Sequence, residues 1–210
     1  MITEVLKVFM LEKGIFLTIR DFLMAPGKSA HIYLYRNRKK YVSPIIFLLV
    51  TSLIYSIVNK YFHVEESIMV DVQIDGFDDR AIKFTNQSMK WIQDNYGYAN
   101  LIMSFFVAFF TWIIFRKGNL NYFEILSVLC YFEGVGMLFF TISALIKVFG
   151  KMDLFSYISF FMLVYVSTAV ASVYRPLRIS SYFKAFAAYL LGFIFFYISY
   201  IFVYFSLHAA

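Results

Sequence analysis

Apolar residues run almost unbroken through five stretches of this chain, at about 43–58, 99–115, 125–149, 154–174 and 183–207. Each approaches the roughly 20 residues that cross ~30 Å of hydrocarbon, so each predicts a membrane-spanning helix. Pro44 suits the first turn of the first span, where its missing N–H costs nothing, and Asn59 and Lys60 end it. Arg116, Lys117 and Gly118 end the second. Residues 2–25 are also apolar, but Glu4, Lys7, Glu12, Lys13, Arg20 and Asp21 interrupt them without gathering on one helical face. That pattern predicts helices lying at the interface and partly packed on the bundle. Gly14 divides the segment into two short pieces; Thr18 and Asp21 predict a capping box opening the second, and Pro26-Gly27 its end.

Residues 59–98 are the only extended polar stretch. Ile68, Val70, Val72 and Ile74 alternate with Met69, Asp71, Gln73 and Asp75, the period of a half-buried strand, and Gly76 follows as a turn. Asp79 to Asn95 reads as an amphipathic helix through Ile82, Met89 and Ile92. The expected fold class is therefore an all-α integral membrane protein of about five transmembrane helices, with N-terminal interfacial helices and a small extracytoplasmic α/β-like loop. Its parts are an interfacial and basic segment at 1–42, a first span at 43–58, an acidic loop at 59–98 and a four-span membrane domain at 99–210.

Composition agrees with that class. The 210 residues are 61% hydrophobic, 22% aromatic and only 15% charged, whereas soluble domains carry about a quarter charged residues. The net charge of +6 matters less than its placement. Thirteen of the nineteen Lys and Arg fall in the N-terminal segment, the 116–117 turn and residues 175–184. The opposite side carries Glu65, Glu66, Asp71, Asp75, Asp78, Asp79, Asp94 and Asp153. Positive-inside then puts the N-terminus in the cytoplasm and the C-terminus outside it. No uninterrupted apolar core or small-residue cleavage site opens the chain, which argues against a cleaved signal peptide.

The run from Phe16 to Pro44 resembles the signature of an uncharacterised family of bacterial membrane proteins, catalogued as a domain of unknown function. Thr18, Asp21, Pro26, Gly27, Tyr35, Arg38, Tyr41 and Pro44 carry the resemblance. Arg36 stands where that family has Gly, and the N-terminal zinc ribbon of many members is absent. A more distant likeness is to the five-span layout of Yip1-type proteins. The resemblance implies a bacterial inner (cytoplasmic) membrane protein and brings no reaction with it.

Candidate chemistry is sparse. Glu133 lies inside the third span, where an ionisable side chain costs about 2.5–3.5 kcal/mol on insertion scales and so should face the bundle or a wet cavity. It reads either as an ion or proton site or as a neutral carboxyl bonded within the bundle, with Tyr131, Thr51 and Ser52 as candidate companions. Arg36, Arg38, Lys39 and Lys40 read as an orientation signal, or as a docking site for lipid headgroups or a cytoplasmic protein. In the fifth span Tyr189, Tyr197, Tyr200 and Tyr204 share one sector, a polar stripe, beside Ala188 and Gly192, small enough for close helix packing. Ser167 and Ala171 repeat the small-residue pattern in the fourth.

Asp71 to Gly76 only partly echoes a calcium loop, since Ile82 takes the place of the bidentate Glu. His31, His63 and His208 lack metal-ligand spacing, Cys130 is the single cysteine, and no nucleotide or hydrolase motif occurs. Neither metal nor cofactor is expected, and nucleic-acid binding is disfavoured for want of an accompanying fold. The chain thus reads as a non-enzymatic scaffold or lipid-handling protein, with membrane lipids, a second copy of itself and a cytoplasmic protein as candidate partners. The alternative is an oligomeric channel or membrane-perturbing effector accessory to a cytoplasmic system, for example a defence system.

Overall fold

A computed structural model describes residues 12–62, 64, 87, 90–92, 95–174 and 179–208. Helices α1 (Glu12–Met24) and α2 (Pro26–Tyr35) lead into a single 3-10 turn, Arg38–Lys40. Five long helices follow: α3 (Pro44–Phe62), α4 (Tyr96–Ile114), α5 (Tyr122–Gly150), α6 (Phe155–Val173) and α7 (Ile179–His208). All five are long and apolar enough to cross a membrane, and the described residues contain no strand. The protein is an all-α membrane protein. The strand expected at 68–74, its turn at Gly76 and most of the helix expected after Asp79 lie outside the described residues.

α3, α5 and α7 overrun the apolar stretches that predict them, whereas α6 falls just inside its own. α5 begins at Tyr122 because Asn121 accepts from the Glu124 N–H while the Glu124 carboxylate accepts from the Asn121 N–H, a reciprocal cap built from polar residues. The N-terminal segment departs from expectation in a different way. Glu12–Met24 is one helix running through Gly14, and Thr18 sits in its middle rather than at a cap. The Thr18 hydroxyl donates to the Gly14 carbonyl one turn back, at 2.6 Å, so no capping box forms. Pro26 does not merely end α1; it occupies the first turn of α2, where its fixed φ suits helix initiation.

α5 is the axis of the fold. Inside the bundle 72% of its membrane window is buried, against 17% for α7. It packs on α3, α4 and α6 along the spans and on α1 and α2 at one end, whereas α7 packs on α4 and α6. Successive faces of α5 can be assigned within one turn. Gly134 faces Phe47 of α3, Gly136 faces Met162 of α6, and the Met137 sulfur accepts from the Asn100 amide of α4 at 3.0 Å. At 100° per residue, Glu133 falls between the α4 and α6 directions, in the gap behind which α7 runs.

Close approach is set by small residues, as expected where lipid removes the hydrophobic drive between helices. A Cβ on Gly192 of α7 would lie 2.5 Å from the Val107 Cα of α4. Gly27 plays the same part for the N-terminal unit, since a Cβ there would lie 2.5 Å from the Ser172 Oγ and 2.6 Å from its carbonyl oxygen. Glycine at 27 thereby seats α2 on the end of α6.

Candidate functional site

Two regions concentrate the polar chemistry. The first is a lid formed by α1, α2 and the 3-10 turn over the end of the bundle where α4 and α6 finish and α5 and α7 start. Phe22 of α1, fully buried, stacks on Tyr131 of α5 with ring centroids 4.1 Å apart. Tyr131 is also flanked by the rings of Tyr33, Tyr41 and Phe47. Its hydroxyl donates to the Val42 carbonyl, while the Val42 N–H donates to the Thr18 hydroxyl at 3.3 Å. The extended backbone entering α3 is thus satisfied by side chains, as buried polar backbone must be. Tyr165 of α6 closes the far side by donating to the Phe22 carbonyl at 3.0 Å.

Asp21 ties the lid to the basic turn. Its Oδ2 accepts from the Lys40 Nζ at 2.7 Å and from the Tyr41 hydroxyl at 3.1 Å, and its Oδ1 accepts from Arg20 at 2.9 and 3.1 Å. Burial alone would raise the carboxyl, whose side chain is 15% exposed, but the Lys40, Arg20 and Tyr41 donors outweigh it and hold Asp21 below the usual carboxylate range. Of the four cations at the junction, Lys40 is therefore engaged within the fold. Arg36, Arg38 and Lys39 are exposed, and no carboxylate pairs with them among the described residues. Their turn is held in shape by Asn37, whose side chain accepts from the Lys39 N–H at 3.0 Å. Lys28, Arg116 and Lys117 add exposed positive charge at the same end.

The second region is the centre around Glu133, which is 2% exposed. The structure does not gather its expected companions there. Tyr131 turns to the lid; the Thr51 hydroxyl donates to the Phe47 carbonyl of its own helix, at 2.9 Å; and Ser52 lies with Asn100 between α3 and α4. The residue facing the carboxyl is instead Tyr189 of α7, reaching through the gap between α4 and α6. Cys130 and Tyr165 lie within electrostatic reach, and Oε1 of Glu133 has no hydrogen-bond partner. Two residues from separate sequence patterns, Glu133 and Tyr189, thus form one site.

Tyr197 and Tyr200, like Tyr189, are half-buried on the inward side of α7, next to the buried Ala188 and Gly192. Tyr200 packs against Trp91. The side chain of Tyr204 lies outside the described residues. On α6, Ala171 and Ser167 are buried, and the Ser167 hydroxyl donates to the Leu163 carbonyl at 2.7 Å. Sequence reasoning missed Tyr165, one of many aromatics in an apolar run, and the Asp21–Lys40 pair, whose members lie 19 residues apart. The described residues hold no cluster of three or more His, Cys, Asp or Glu suited to a metal ion.

Comparisons with known proteins align with the lid. A family model described as "Protein of unknown function (DUF3667)" matches residues 12–56, about a fifth of the chain. That stretch contains α1, α2, the 3-10 turn and the first two-thirds of α3, including Thr18, Asp21, Gly27, Lys40 and Pro44. No curated protein and no solved structure matches the chain.

Proposed function

We propose that this protein is a non-enzymatic membrane scaffold whose lid end faces the cytoplasm and holds anionic lipid headgroups. One observation carries the reading: Arg36, Arg38 and Lys39 stay exposed and, among the described residues, without a carboxylate partner on a turn that Asn37 and the Asp21–Lys40 pair hold in place. A cation near an anionic leaflet contributes about 1 kcal/mol, so three on one turn contribute about 3 kcal/mol. The excess of Lys and Arg at this end supports the cytoplasmic orientation. The test is native mass spectrometry of protein extracted from mixed phosphatidylcholine and phosphatidylglycerol nanodiscs. Retained lipid should be enriched in phosphatidylglycerol, and the triple variant Arg36→Gln, Arg38→Gln, Lys39→Gln should lose that enrichment. Equal enrichment in wild type and variant would sink the reading.

A second reading, an oligomeric channel or membrane-perturbing effector, is favoured by α7. Its small buried share leaves Phe193, Ile198 and Phe202 exposed to lipid or to another copy. A closed ring in nanodiscs with dye flux would support it, and a monomer without flux would exclude it.

A further inference from the structure

α7 packs on α4 and α6, with its own Gly192 seated against Val107 of α4, and Tyr189 is where it meets a buried carboxyl of α5. The surroundings of that carboxyl are short of donors. From α6 comes Tyr165, whose hydroxyl is already used on the Phe22 carbonyl, and from α5 itself Cys130, a weak donor. Among the described residues, no Lys, Arg or His acts on Glu133. α3 and α4 bring no titratable side chain to it, and in the lid Asp21, Arg20 and Lys40 are paired with one another. We propose that Glu133 binds a proton, and that the bound proton latches α7 onto the bundle through Tyr189.

The physical reason lies in the hydrogen-bond inventory. A neutral carboxyl both donates and accepts, and it tolerates one oxygen without a partner at modest cost. A carboxylate only accepts, and one phenol cannot satisfy two charged oxygens shut away from water. Release of the proton therefore requires water to reach Glu133. The route that disturbs the least packing is beneath α7, the least buried of the five long helices. The ligand of this site is a proton, and its readout is the position of α7.

Two measurements on protein in nanodiscs test this. The infrared C=O stretch of a protonated carboxylic acid should be present at neutral pH, absent from Glu133→Gln, and lost as pH rises. Hydrogen exchange along 179–203 should then rise relative to Glu133→Gln at the same pH, by about tenfold per pH unit, the slope for release of one proton. If Glu133→Gln fails to fold, Tyr189→Phe serves: it keeps the carboxyl band, moves the pH at which it disappears, and exchanges faster over α7 at neutral pH. A wild-type protein without the band at neutral pH would overturn the proton site. A band that titrates while α7 exchange shows no added pH dependence would overturn the latch.

Discussion

Asp21 and Glu133 are both carboxyls turned away from water, and the fold treats them in opposite ways. Asp21 sits at the rim of the bundle with Lys40, Arg20 and Tyr41 donating to it. Glu133 sits at the centre with Tyr189 facing it and one oxygen without a partner. Burial weighs against charge at both places, so the partners decide the outcome. Near the membrane surface long cations can reach a carboxylate while their stems stay on apolar surface. In the middle of a span they cannot, and phenols, hydroxyls and amides from neighbouring helices take their place. The lid is consequently an ion-paired clasp, while the centre sets a buried carboxyl against a phenol of a neighbouring helix.

The largest effect that would break this contrast comes from the apolar support of the lid. Phe22→Ala removes a fully buried ring stacked on Tyr131 and should cost about 3–5 kcal/mol. Limited proteolysis should then cut within 12–40 while the five long helices remain intact. Equal protection in variant and wild type would mean that the lid is held by its ion pair alone.

Removing the charge should cost less. Asp21→Asn leaves Lys40 and Arg20 partly solvated, so about 1–2 kcal/mol is expected by the same proteolysis assay, well below the value for a sealed pair. The pH dependence has a definite sign. Because folding lowers the Asp21 carboxyl, its contribution is complete above the unfolded value near 4 and fades as pH falls through the lower folded value. The lid should loosen in acid, whereas the α7 latch loosens in base. Acid loosening that persists in Asp21→Asn would place its origin in another group.

Tyr189→Phe removes one interhelical hydrogen-bonding group and should lower stability in mild detergent by about 0.6 kcal/mol, a typical value for such pairs. The smallest effect belongs to the exposed cations. Arg36→Gln, Arg38→Gln and Lys39→Gln should each change stability by less than about 0.5 kcal/mol. A larger loss in any of them would show that the turn's cations support the fold itself.

Much of the architecture was legible without coordinates. Five apolar runs of spanning length, broken by polar and basic residues, determine five membrane helices because unpaired backbone cannot be tolerated in hydrocarbon. That α1 and α2 pack on the bundle followed from charges that interrupt the apolar pattern of the N-terminal segment. Tertiary structure alone decided which of those charges is free. Lys40 looks like Arg36, Arg38 and Lys39 in the sequence, and it differs only because α1 brings Asp21 to it from 19 residues away. The role of Thr18 was likewise hidden, since its partner, the Val42 N–H, arrives only when the chain folds back over the bundle. Glu133 was conspicuous as an ion in an apolar run, but its partner was not. The helical period places Glu133 on a face of α5, yet only the packing of α7 across α4 and α6 brings Tyr189 to that face. Periodicity reports which way a side chain points along its own helix; the neighbour it meets depends on how whole helices pack.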